Sequence, residues 1–202
     1  MSFQTNIFIN CPFDKEYKPL LKALIFIVLY LELEPQISTT ISSSHLRITE
    51  IIKLIENSKY SIHDISRCEP IRAGELPRFN MPYEMGLDIG CSVYGSVQQR
   101  TKQCLILESL KNRYDMVISD ISGQDIKEHN NQPKKLMGKV IEWFTANGAV
   151  PINRIPGLSS AWSKYLDCKA KIEVSLINEG FTKSEIKNLS IPHYITAIKS
   201  AV

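Results

Sequence analysis

Apolar and polar positions along the chain follow two periods in turn. Short apolar runs of strand length occur at residues 6–10 (NIFIN), 34–38, 60–65 and 103–107. Between them, apolar side chains recur at helical spacing. Residues 16–33 carry Leu20, Leu21, Leu24, Ile27, Val28 and Leu31 in a stripe wide enough to be largely buried. Residues 47–57 repeat the period through Ile48, Ile51, Ile52 and Ile55. Strands that alternate with helices imply a mostly parallel sheet covered on both faces. The pattern therefore predicts an α/β fold, a flavodoxin-like or Rossmann-like doubly wound sheet.

The second half is less regular. Residues 92–101 read as a polar loop, and residues 111–125 as a helical turn leading into a further loop. Residues 133–147 return to helical period with Leu136, Val140, Trp143 and Phe144 on one side, and Gly148 stands just past the end. Pro151, Pro156 and Gly157 then mark a connector. Beyond it, residues 158–178 are amphipathic, to pack on the domain or form a dimer face. Thr182 to Glu185 is a capping-box pattern, and Ser190 precedes a fresh helix start at Ile191-Pro192. This predicts an α/β domain over residues 1–150 and a helical C-terminal appendage over residues 151–202.

The chemistry concentrates in residues 59–90. Tyr60, Ile62 and Ile65 build a strand that ends among polar groups, Asp64, Ser66 and Arg67, where such a sheet opens onto a ligand crevice. Asn80 is placed as the N-cap of the next helix, with Pro82 in the first turn and Glu84 one turn in. Gly86 and Gly90, four apart, suggest a bare helix face packed close on the sheet, which would bring Glu84 to the strand end. The loop after the first strand adds Asn10, Phe13 and Asp14. Glu84 and Asp64, with Asn10 and Asp14, thus form a candidate carboxylate site for acid, base or nucleophilic work at an electron-deficient sugar carbon. Plainer roles exist for each: a first-turn acid complementing the helix dipole, a turn cap, an N-cap, Asx turns. His63 reads as a packed or supporting histidine and Cys11 as structural. Asp120 and Asp125 either end a helix or reach the crevice from its far side.

Composition narrows the alternatives. Of 202 residues, 44% are hydrophobic and 22% charged, so the chain can bury a substantial core. A net charge of +3 with scattered basic residues argues against nucleic acid as partner. Five cysteines without a CxxC pair argue against a disulfide framework or a zinc site and fit a reducing cytoplasm. The longest apolar run, residues 23–31, is about half a membrane span, and no basic-then-apolar leader opens the chain. Glycine-rich nucleotide loops, HExxH and GxSxG are absent.

NIFINCPFD, YSIHDISR and RFNMPYEMGL resemble the nucleoside 2-deoxyribosyltransferase-like superfamily, which is similar in architecture to bacterial TIR-like domains. The likeness spans roughly residues 6–108 and rests on Asp64, Asn80, Glu84, Met85 and Gly86. It implies that Glu84 attacks or stabilises the anomeric carbon while Asp64 and its neighbours hold sugar and base. It further implies release of a base from a nucleotide or of nicotinamide from NAD as substrate, with no separate cofactor or metal, in a homo-oligomeric antiphage effector. The loop over residues 67–79 departs from the metabolic transferases, and Arg67, Arg72 or Arg78 suit a substrate phosphate. The rival expectation is a non-catalytic module that binds a nucleotide signal and regulates a protein partner.

Overall fold

The computed structural model describes residues 2–38, 46–68, 74, 76–110, 118–121 and 123–202. Five strands, β1 (Asn6–Asn10), β2 (Glu34–Ile37), β3 (Tyr60–Asp64), β4 (Gln103–Glu108) and β5 (Lys127–Glu128), form one sheet in the order β2-β1-β3-β4-β5. Every pairing is parallel, with Ile9 opposite Ile62 and Ile62 opposite Leu105 in the middle of the ladder. The helices are α1 (Lys18–Tyr30), α2 (Arg47–Glu56), α3 (Asn80–Tyr94), α4 (Pro133–Asn147), α5 (Leu158–Asn178), α6 (Lys183–Lys187) and α7 (Ile191–Ala201). The doubly wound α/β expectation thus describes the molecule. Among the described residues no helix is long and apolar enough to cross a membrane.

Alternation along the strands sends the two sheet faces to different tasks. Ile7, Ile9, Tyr60, Ile62, Leu105 and Leu107 meet α1 and α4 in one large apolar core. Tyr60 stands edge-on to Trp143 and Phe144 of α4. The C-terminal helices extend this core outward: Tyr165 of α5 packs on Phe26 of α1, and Tyr194 and Ile198 of α7 are buried with them. A burial stripe through Ala161, Tyr165, Cys168, Ile172 and Leu176 accounts for α5 lying on the domain. The Thr182 capping box and the Ser190 cap are both formed.

The opposite sheet face is part apolar and part polar. Phe8 packs on Ile51 and Ile55 of α2, but Asn10, Ser61 and His63 share that face, all buried. This explains why α3 sits as it does. Met81, Glu84, Met85 and Asp88 form its buried side, because buried polar groups of the sheet need polar partners. Gly86 and Gly90 therefore lie on the far side of α3, where a Cβ at either would touch none of the described residues within 4 Å. The sequence expectation of a glycine face against the sheet is corrected: the acidic face takes that place. Each outward glycine disfavours the helix by about 0.8–1 kcal/mol relative to alanine.

Two further expectations change. Phe79, already in helical conformation at φ −86° and ψ −6°, occupies the cap position, so Asn80 is the first helical residue, exposed, and makes no side-chain cap. Residues 92–101 are not a continuous loop, because α3 runs to Tyr94 and a 3-10 turn follows at Gln99–Thr101. Packing of Leu87 and Cys91 against the Phe8 cluster carries the helix through a stretch of weak helix formers. Residues 119–121 form a single 3-10 turn, in keeping with the helical turn expected there.

Phe144→Ala should lower the unfolding free energy by about 3–5 kcal/mol, as a fully buried aromatic lost from the core does. Gly148, which ends α4 at φ 65°, should cost about 1 kcal/mol on change to Ala. Urea unfolding of the two variants checks both values.

Candidate functional site

β1 and β3 are neighbours from which the chain departs in opposite directions, to β2 on one side and β4 on the other. The crevice at the carboxyl ends of such a strand pair is where open α/β sheets bind ligands. Asn10 ends β1 and Asp64 ends β3, so the fold delivers both to this point. Glu84 arrives from the first turns of α3. Segments 39–45, 69–73 and 111–117, which include Arg72, lie outside the described residues.

Asp64 is wholly buried, and protein donors take up its oxygens. Oδ1 accepts from the Ser66 backbone N–H at 2.9 Å and from the Ser66 hydroxyl. Oδ2 accepts from the Tyr17 hydroxyl at 2.5 Å and faces His129 Nε2 at 2.9 Å. Burial works against the carboxylate, but His129, Ser66 and Tyr17 outweigh it and hold Asp64 below its ordinary range. Two consecutive left-handed residues, Asn130 (φ 51°) and Asn131 (φ 54°), turn the chain so that the Asn131 N–H meets His129 Nδ1 at 3.1 Å. That contact makes Nδ1 the acceptor and leaves Nε2–H to point at Asp64. Tyr17 is the residue just ahead of α1, fixed there by its own N–H donating to Asp14 Oδ1 at 2.8 Å.

A second buried set lies between the sheet and α3. Asp88 Oδ2 accepts from the Ser61 hydroxyl at 2.5 Å and faces His63 Nε2 at 3.1 Å, while Lys102 Nζ stands 3.0 Å from Oδ1. Lys102, 1% exposed at its side chain, also donates to the carbonyls of Ile55 (2.8 Å) and Ser58. Despite burial, His63, Lys102 and Ser61 draw Asp88 down to about 2. The Asn10 amide nitrogen donates to the Met81 carbonyl at 2.8 Å and lies 3.0 Å from His63 Nδ1. Burial opposes a second ring proton on His63, but Cys104 and Asp88 outweigh it and raise its pKa to about 10. His63 thus supports, packed, as its place on the strand suggests. The nearest approach to a metal site among the described residues, His63, Asp88 and Cys104, has ligand atoms within 4.8 Å of one another. The Lys102 ammonium on Asp88 opposes a cation there.

Glu84 differs from both aspartates. It is only 8% exposed, yet no described side chain or backbone group donates a hydrogen bond to its carboxylate. Burial raises its pKa, with Arg47 and then His63 pulling it partly back. Cys11 beside it is inert, its thiol pushed well up by burial and by Asp64, Glu84 and Asp14.

The remaining sequence candidates surround this centre unequally. Arg67 Nε donates to Asp14 Oδ2 at 3.0 Å, which occupies the guanidinium that a phosphate would need. Burial raises Asp14, and its bonds from Arg67 and Tyr17, with Arg78 nearby, bring it below its usual value. Phe13, Arg78 and Asn80 are exposed, and Ser66 is half-buried with its hydroxyl on Asp64 and 3.2 Å from His129 Nε2. Asp120 is exposed, and Asp125, also exposed, pairs with Lys127. Four contributors escaped the sequence reading: Tyr17, Arg47, Asp88 and His129. Asp88 was findable, one turn beyond Glu84 on the same helix side. The Asn130-Asn131 pair ahead of a Pro133 helix start signals the turn that aims His129.

Asp64 and Asp88 both titrate lower when folded than unfolded, so each stabilises fully above about pH 4, and that stability is lost as pH falls through the folded value. For Asp88 the window runs from about pH 4 to about 2 and is worth about 2 kcal/mol. Denaturant melts across this range should show Asp88→Asn losing less than wild type. Tyr17→Phe should cost roughly 1.5–3 kcal/mol at pH 7, since a buried carboxylate loses a donor. Comparison with known proteins finds no match to a family model, to a curated protein or to a solved structure.

Proposed function

We propose that the crevice at the ends of β1 and β3 hydrolyses an N-glycosidic bond, releasing a base from a nucleotide or nicotinamide from NAD. One observation carries the reading: at the ligand-binding edge of the sheet, Glu84 is a mostly buried carboxylate with no hydrogen bond from the described residues. A structural acid in that position would be expected to be tied down as Asp64 and Asp88 are. Unshielded lone pairs suit attack on an electron-poor carbon. In this mechanism a Glu84 oxygen bonds to the anomeric carbon as the C–N bond breaks and its electron pair leaves with the base. Water then attacks that carbon as the bond from Glu84 breaks, which restores the carboxylate; the water's proton passes to solvent, and a departing base other than nicotinamide takes one up from solvent.

Asp64 acts here as a positioning residue, since its oxygens are filled by Tyr17, His129 and Ser66. It would hold Ser66 and the start of the following loop toward the sugar. Arg47, exposed at the head of α2 and exerting its charge on Glu84, joins Arg78 as the candidate partner of a substrate phosphate. The resemblance noted in the sequence extends the proposal to a cytoplasmic effector of antiphage defence.

Incubation of wild type and Glu84→Gln with NAD, NADP, nucleotides and deoxynucleotides, with free base read by chromatography, tests the mechanism. Wild type should release one base, and Glu84→Gln should be slower by about 10²–10⁴-fold. The wild-type rate should rise with pH as Glu84 ionises. Because the folded pKa lies above the unfolded one, ionisation of Glu84 weakens the fold as pH rises through that interval. Glu84→Gln should therefore melt a few degrees higher at pH 7 and match wild type below about pH 4. A fully active Glu84→Gln protein removes Glu84 from the mechanism. A ligand that raises the melting temperature of wild type without base release identifies the binding module instead.

A further inference from the structure

We infer that the outer face of α3 is the contact between two copies of this chain, packed antiparallel about a two-fold axis that passes between Gly86 and Gly90. From Asn80 to Tyr94 the only charged residues are Glu84 and Asp88, and both point into the sheet. The solvent side of this surface helix is thus without charge. The other helices that face solvent are not built this way. α2 presents Arg47 and Glu56, α4 Lys134 and Glu142, and α5 Lys164 and Asp167.

What α3 presents instead is apolar and shaped. Phe79 and Tyr83 are 66% and 58% exposed at one end, and Val93 and Tyr94 are 53% and 86% exposed at the other. Val97, just past the helix, is 84% exposed. Midway along the same side are the two glycines, which fill no internal space and disfavour the helix that carries them. Among the described residues nothing packs on either of them. A backbone arriving from outside can, because paired small residues one turn apart let two helices approach closely.

The occupant follows from the arrangement. Bulky groups at both ends with a shallow centre form a pattern that matches itself when reversed. The two-fold sets Gly86 against the partner's Gly90 and brings Tyr83 to the partner's Tyr94. Such self-complementary contacts are the commonest in homo-oligomers. Along α3 itself no like charges are set against each other, although each copy carries a net charge of +3 and exposed Arg78 and Arg100 flank the patch. The five side chains offer on the order of 600 Å² per copy, near the roughly 800 Å² per partner of a standard stable interface once neighbouring backbone is included. Because α3 also carries Glu84, the contact would brace the helix that holds the candidate nucleophile.

Sedimentation equilibrium of the full chain from about 1 to 100 µM should give a mass rising toward twice the 23.0 kDa of one chain. Gly86→Leu/Gly90→Leu and Tyr83→Lys/Tyr94→Lys should each weaken association by at least about 100-fold, with far-UV circular dichroism unchanged. No described residue lies within 4 Å of a Cβ at either glycine, and the unchanged circular dichroism separates loss of the dimer from misfolding. Wild type that stays at one chain mass at about 100 µM overturns the inference, whether or not it then sediments with phosphatidylcholine vesicles. A dimer whose mass neither variant alters overturns it too, by placing the contact elsewhere.

Discussion

A carboxylate moved out of water loses several kcal/mol of solvation unless donors meet it, and besides Glu108 of β4 this molecule buries three of them between the sheet and the elements that cover it. Asp64, Asp88 and Glu84 are all at or below 8% exposure. Two are compensated in parallel ways: each accepts from a hydroxyl, Tyr17 or Ser61, and faces a histidine Nε2 whose Nδ1 is itself met by an amide. The orientation of α3, the turn after β5 and the entry into α1 all follow from supplying those donors. Of these three, Glu84 alone receives no hydrogen bond from the described residues, and burial raises its pKa.

Much of the fold was legible because it is written in periodicity. β1, α4 and α5 have the bounds that apolar spacing gives, and Gly148 ends α4 where a left-handed residue is needed. α3 was legible as a helix but not in its rotation. Its glycines and its acids lie on opposite sides, and a sequence alone does not say which side the sheet will take. The polar residues of β1 and β3 decide that, and they become a patch only when the two strands pair, Asn10 beside His63.

The candidate site was legible where its residues are neighbours in sequence and hidden where they are not. Asp64, Ser66 and Arg67 follow one another, and Glu84 stands in a recognisable helix start. Tyr17 was read as a helix residue and His129 fell between two assigned elements, because β5 has only two residues, too short for an alternating pattern. Arg67 and Asp14 were read as separate ligand contacts, and the structure joins them to each other at 3.0 Å.

The bond between His129 and Asp64 closes a span of 65 residues, and β5 is the last strand in sequence and an edge of the sheet. Contacts of such long sequence separation form late, since the chain between them must be ordered first. A folding intermediate with β1 to β4 paired would hold Asp64 buried beside Tyr17 and Ser66 but without its imidazole. The crevice is therefore incomplete until β5 and the turn after it are in place. Whatever the crevice binds would then find no complete site while the chain is still emerging from the ribosome, its readiness timed by topology.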